Sequence, residues 1–164
     1  MFDRAFGLPL HVLVNHLTIV FVPLTVLAAL AFAVVPRWRW LLRLPMVAGA
    51  VISLVATFVT VRSGYALYDR LNRPAVVEVH EHRGQLLQWI VLAFVVWCLV
   101  SAYVLGGPGA PTPRWEVGRR RAAGIARPVR IVVAVVLVVL AVATGIQVVL
   151  TGDAGARAVW GAGG

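Results

Sequence analysis

Apolar residues in this chain gather into four long runs, at residues 8–35, 44–68, 84–105 and 129–150. Coiled as a helix, each is long enough to cross a hydrocarbon core of ~30 Å, which takes roughly 20 residues. The polar positions inside the runs are few and patterned. In the first run His11, Asn15, Thr18 and Thr25 fall within an arc of about 80° at 100° per residue, a polar stripe on an apolar helix. His16 points about 140° away from His11 by the same arithmetic. In the second run Ser53, Thr57, Thr60 and Gly64 fall within about 60°, a small, hydroxyl-bearing face able to meet the first stripe.

This pattern predicts an all-α protein, an integral membrane four-helix bundle forming a single transmembrane domain over residues 1–164. Pro9 suits a first helical turn, and Pro23 lies mid-span, where it predicts a kink. The first run exceeds the length of a signal-peptide core and its flank mixes Arg4 with Asp3, so it reads as a retained span. Small residues at Gly49, Ser53 and Thr57, and at Ala141 and Gly145, predict close helix packing. No internal repeat is recognisable.

Depth can be measured by counting ~20 residues along each span. The count brings His11, His16, His80 and His82 to one rim, with Asn15, Arg62, Tyr65, Tyr68, Gln85, Gln88, Gln147 and Thr151. The opposite halves of the spans are almost wholly Leu, Val, Ala, Ile and Phe.

Composition agrees with a membrane setting. Of 164 residues 61% are hydrophobic and 13% charged, with a mean hydropathy of +0.91. The formal charge of +9 comes from 15 basic residues, all Arg. They flank apolar runs instead of forming a basic domain, which excludes a nucleic-acid partner. Nine lie in or beside the first connection (36–43) and the third (106–128), namely Arg37, Arg39, Arg43, Arg114, Arg119, Arg120, Arg121, Arg127 and Arg130. Five lie at the other ends, and Arg62 lies inside a span. The positive-inside rule then places the basic connection 106–128 in the cytoplasm, and both termini and the histidine rim outside the cell membrane.

Every Asp and Glu lies in a connection or terminus, which argues against a coupled ion pump. No Ser/His/Asp order suggests a hydrolase, and no catalytic residue is identified. Cys98 is alone in an apolar run and reads as a small packed or lipid-facing hydrophobe. Imidazoles suit Zn, Cu and haem iron. In His80-Glu81-His82 the two histidines can share a metal ion if the segment is extended; if it is helical they diverge. His82 ranks ahead of His80 because it sits nearer the depth of His16 and precedes Gly84, which permits close approach.

Leu10-His11-Val12-Leu13-Val14-Asn15-His16-Leu17 resembles the Leu-His-Pro-x-x-Val-His-Phe-Pro-type opening of an uncharacterised family of bacterial four-span membrane proteins. The resemblance runs through Gly64 and His82-Arg83-Gly84, over residues 7–105. Val12 replaces the family's proline, and Leu17-Thr18 replaces its Phe-Pro. Members of that family sometimes occur beside cytochrome modules, which implies haem or electron-transfer chemistry. On that expectation a b-type haem or a transition metal ion binds at the rim. His11 or His16 with His82 would be axial ligands, Arg62 or Arg83 would pair propionates, and His80, His82 and Glu81 would serve a metal ion. The alternative is a non-catalytic accessory or assembly subunit of a larger membrane complex; a channel or carrier comes third. Expected partners are the lipid bilayer and a redox or other membrane-complex protein.

Overall fold

The structure, a computed structural model, describes residues 4–5, 8–70, 72, 74–106 and 125–161. Four helices make up nearly all of it: α1 (Leu10–Val34), α2 (Arg39–Arg70), α3 (Ala75–Val104) and α4 (Arg127–Trp160). Ahead of α1, β1 (Arg4–Ala5) pairs antiparallel with β2 (Leu8–Pro9), Arg4 opposite Pro9 and Ala5 opposite Leu8. Asp3, Arg73 and most of the basic connection, with Arg114, Glu116, Arg119, Arg120 and Arg121, lie outside the described residues.

All four helices are long and apolar enough to cross a membrane. Their outward faces carry large exposed apolar side chains such as Leu27, Leu44, Val55, Trp89, Tyr103, Val139 and Val149. That is the surface of a bundle solvated by lipid, and the architecture is that of a multi-pass membrane protein.

α1 lies within its apolar run, whereas α2, α3 and α4 extend beyond theirs, because hydropathy marks the lipid-crossing length and not the point where the helix ends. α2 begins before Leu44 and continues through Pro45, and α1 continues through Pro23. Between α1 and α2 there is only a single 3-10 turn, Pro36–Trp38. The Arg39 guanidinium caps the end of α1, its Nε and Nη2 donating to the carbonyls of Phe32 and Ala33 at 3.0 Å. α2 and α3 are joined through Asn72, whose φ of 58° is a left-handed conformation that Asn tolerates. Pro74, extended at ψ 133°, then starts α3 well before residue 84 and draws His80-Glu81-His82 into the helix.

The polar stripe of α1 meets the hydroxyl face of α2, as their spacing predicts. Thr18 and Thr60 hydroxyls lie 3.0 Å apart, and those of Thr25 and Ser53 3.2 Å. All four residues are buried. The central core is apolar, built on Val22, Phe32, Met46, Val91, Phe94, Cys98 and Leu137.

An internal repeat, invisible in the residue letters, emerges from burial. The buried residues of α1 are Thr18, Val22, Thr25, Val26, Ala29, Phe32 and Ala33. Shifted by the 69 positions that separate His11 from His80, they become Leu87, Val91, Phe94, Val95, Cys98, Ser101 and Ala102, all buried in α3. In α2, Met46, Ala50, Ser53, Ala56, Thr60 and Ser63 match Leu137, Ala141, Thr144, Gln147, Thr151 and Ala154 of α4, each shifted by 91. The two offsets differ mainly because the α3–α4 connection, residues 105–126, is 18 residues longer than the α1–α2 connection, residues 35–38, which hides the repeat from any single alignment. The helices form a ring in which α1 packs most extensively on α2 and α3 on α4, with α2–α3 and α1–α4 closing the square. The fold is therefore two helical hairpins in a pseudo-twofold arrangement, a recurrent plan among membrane proteins built from parallel repeats.

Candidate functional site

The start of α1, the end of α2, the start of α3 and the end of α4 converge at one end of the bundle. There they enclose a cavity of about 100 Å³. His11 and His80 line it from α1 and α3, with Asn15, Thr18, Thr60, Gly64, Tyr65, Tyr68, Glu81 and Thr151.

Each histidine is held the same way by the second helix of its own hairpin. His11 Nδ1 lies 2.9 Å from the Thr60 carbonyl, and His80 Nδ1 lies 2.9 Å from the Thr151 carbonyl. A carbonyl oxygen only accepts, so each Nδ1 carries the hydrogen, and Nε2 is the ring nitrogen left to bind a ligand. Four residues after each threonine comes a glycine. A Cβ on Gly64 would sit 3.1 Å from the His11 ring, and one on Gly155 would sit 2.9 Å from the His80 ring. The glycines are what allow the imidazoles to lie this close to the partner backbone. The two rings meet edge to face, centroids 6.3 Å apart at 81°.

The remaining polar groups are largely committed to one another. Glu81 accepts a hydrogen bond from Gln85 and another from the Tyr65 hydroxyl. The Arg83 carbonyl receives Gln147 Nε2 at 3.1 Å and Thr151 Oγ1 at 3.3 Å, while its guanidinium donates to the Leu150 carbonyl at 2.9 Å. Arg83 thus ties α3 to α4 and does not line the cavity.

The sequence-predicted residues separate into two sets. His11, His80 and Glu81 come together at the cavity. His16, His82 and Arg62 are exposed and do not line it. His16 Nδ1 donates to Val12 O, one turn back on its own helix, at 2.7 Å. Because His80-Glu81-His82 is helical, its two histidines diverge. Gly84 has nothing within 4 Å of its Cβ position, so the close contacts belong to Gly64 and Gly155 instead. The signal that finds the pairing is a repeated Thr-x-x-x-Gly, at Thr60–Gly64 and Thr151–Gly155.

Among the described residues no group of three or more His, Cys, Asp or Glu side chains gathers as a metal cluster. The cavity has two histidines to supply nitrogen donors, beside the oxygens of Asn15, Tyr65, Tyr68 and Glu81. Its about 100 Å³ falls short of the ~300–1,000 Å³ of pockets that take drug-sized ligands, and a porphyrin does not fit it. A single ion or a few waters do.

No family model, characterised protein or solved structure matches this chain, so neither the resemblance of its opening stretch nor any relative adds to the geometry.

Proposed function

We propose that the protein is a membrane-embedded metal-binding protein whose site is the cavity between His11 and His80, working in a redox or electron-transfer setting. The observation that carries this reading is the paired anchoring of the rings. Both Nδ1–H groups are tied to backbone carbonyls, the arrangement that fixes the tautomer and orientation of ligating histidines. Both Nε2 atoms are left to bind a ligand beside one cavity. The excess of Arg around the first and third connections supports an outward-facing site.

The test is to purify the protein in detergent from cells supplied with haem and metals. Reduced-minus-oxidised visible spectra and quantitation of Fe, Cu and Zn are then recorded. One equivalent of a metal, lost on replacing His11 or His80, supports the reading. A featureless spectrum with sub-stoichiometric metal contradicts it and leaves the accessory-subunit role. A haem spectrum would require α1 and α3 to part around a porphyrin.

A further inference from the structure

We propose that the end of the bundle opposite the histidines holds one anionic phospholipid, its phosphate between Arg39 and Arg130 and an acyl chain along Ile131 and Ala134. The proposal stands on residues outside the metal-binding cavity and does not depend on that reading.

At that end the α1–α2 turn, the end of α3 and the start of α4 surround an open cavity of about 470 Å³. Its size lies within the ~300–1,000 Å³ of pockets that take drug-sized ligands. Three guanidinium groups line it, Arg39 from α2 and Arg127 and Arg130 from α4. Arg39 and Arg130 are counterparts in the repeat, 91 positions apart, just as His11 and His80 are counterparts at the other end.

Charge selects an anion. Arg39 is buried, and two of its five N–H groups are spent on the Phe32 and Ala33 carbonyls. Those partners are neutral, and Arg130 bears on Arg39 with a charge of the same sign. All four acids among the described residues, Asp69, Glu78, Glu81 and Asp153, lie at the histidine end. A buried cation without a counter-charge is costly. A phosphate shared by two guanidinium groups offsets that cost through charge-assisted hydrogen bonds.

Position selects a lipid as the source of the phosphate. Arg127, Arg130, Ile131 and Ala134 recur at spacings of three and four, so they follow one face of α4. That face is basic at the helix start and apolar one turn further in, and Ile131 is exposed on it. Trp38 and Trp40, exposed at the same end, mark the headgroup level at which tryptophans gather. A cationic rim followed by an apolar wall matches the order of groups in a phospholipid, from headgroup to chain. Basic pockets between membrane helices take such headgroups.

The experiment uses the full-length protein in detergent, read by native mass spectrometry and thermal melting. Three probes are compared: mixed micelles carrying phosphatidylglycerol, mixed micelles carrying phosphatidylcholine of the same chains, whose cation opposes the charge of the site, and free glycerol 3-phosphate. The expected result is one tightly held phosphatidylglycerol per chain and a raised melting temperature, with neither effect from the other two probes. Arg130→Gln and Arg127→Gln spare the Arg39 cap on α1, and lipid-free melting checks that they fold. Both should weaken phosphatidylglycerol binding, Arg130→Gln by about tenfold or more. Arg157→Gln, at the histidine end, should bind as the parent does. Equal binding of glycerol 3-phosphate overturns the lipid as the source of the phosphate. Equal binding of phosphatidylcholine, or phosphatidylglycerol affinity unchanged in Arg130→Gln, overturns the site itself.

Discussion

Gly64 and Gly155 occupy equivalent places in the two hairpins. Each follows by four residues a threonine whose carbonyl receives a histidine ring N–H, and each lacks the Cβ that would meet that ring, at 3.1 Å for His11 and 2.9 Å for His80. A substitution at either should therefore displace an imidazole while leaving both histidines in the chain. Gly64→Ala and Gly155→Ala are expected to lose bound metal, Gly155→Ala the more completely. Gly84→Ala, with open space at its Cβ, should retain metal and gain about 0.5–1 kcal/mol from helix propensity. Metal content and thermal melting of the three variants check this together.

The Thr25–Ser53 hydroxyl pair between α1 and α2, away from the cavity, should carry stability rather than binding. Thr25→Val or Ser53→Ala removes a bond worth on average about 0.6 kcal/mol in a membrane bundle, and at most ~1.7 kcal/mol. Gly49→Ala strikes the same contact harder, since its Cβ would lie 2.5 Å from Thr25 Oγ1. Overpacking of this kind costs ~1–3 kcal/mol. Melting in detergent should rank Gly49→Ala as the more damaging, with metal stoichiometry unchanged in all three.

Ser101 stands opposite in sign. It is fully buried in α3, and its hydroxyl has no hydrogen-bond partner among the described residues. Ser101→Ala should stabilise the bundle by about 1 kcal/mol, since an unsatisfied buried hydroxyl carries its desolvation cost without return. A lowered melting temperature would show that the hydroxyl has a partner in the membrane.

Orientation follows from the Arg distribution and is open to labelling. With Cys98 replaced by Ala, Asn72→Cys at the α2–α3 turn should react with an impermeant maleimide on intact cells. Ala126→Cys, exposed before α4, should react only after lysis. The reverse pattern would place the histidine end of the bundle in the cytoplasm.

Helix number and the pairing of the Thr18–Thr25 stripe with the Ser53–Thr60 face were legible in the sequence, because both rest on the 3.6-residue period. The convergence of the histidines at one end was legible from depth alone. Which two of them pair was not, because depth ranks His82 over His80 whereas helix phase decides which side chain enters the bundle. That phase could be read only once Pro74 was known to start α3 before His80. The repeat was hidden for a different reason. Burial positions are preserved between hairpins while residue identities are not, as Thr25 against Phe94 shows, and the longer α3–α4 connection shifts the second half of the register.

The account rests on His11 and His80 facing one another with hydrogen on Nδ1 and Nε2 left to bind a ligand. Nuclear magnetic resonance of the metal-free protein, with 15N,13C-labelled histidine and single His→Gln variants for assignment, reads this directly. At a pH where the rings are neutral, both should show the Nδ1–H tautomer, with a through-space contact between the His11 and His80 rings and none between either and His82. A contact between the His16 and His82 rings in its place, or an Nε2–H tautomer at His11 or His80, would contradict the site described here.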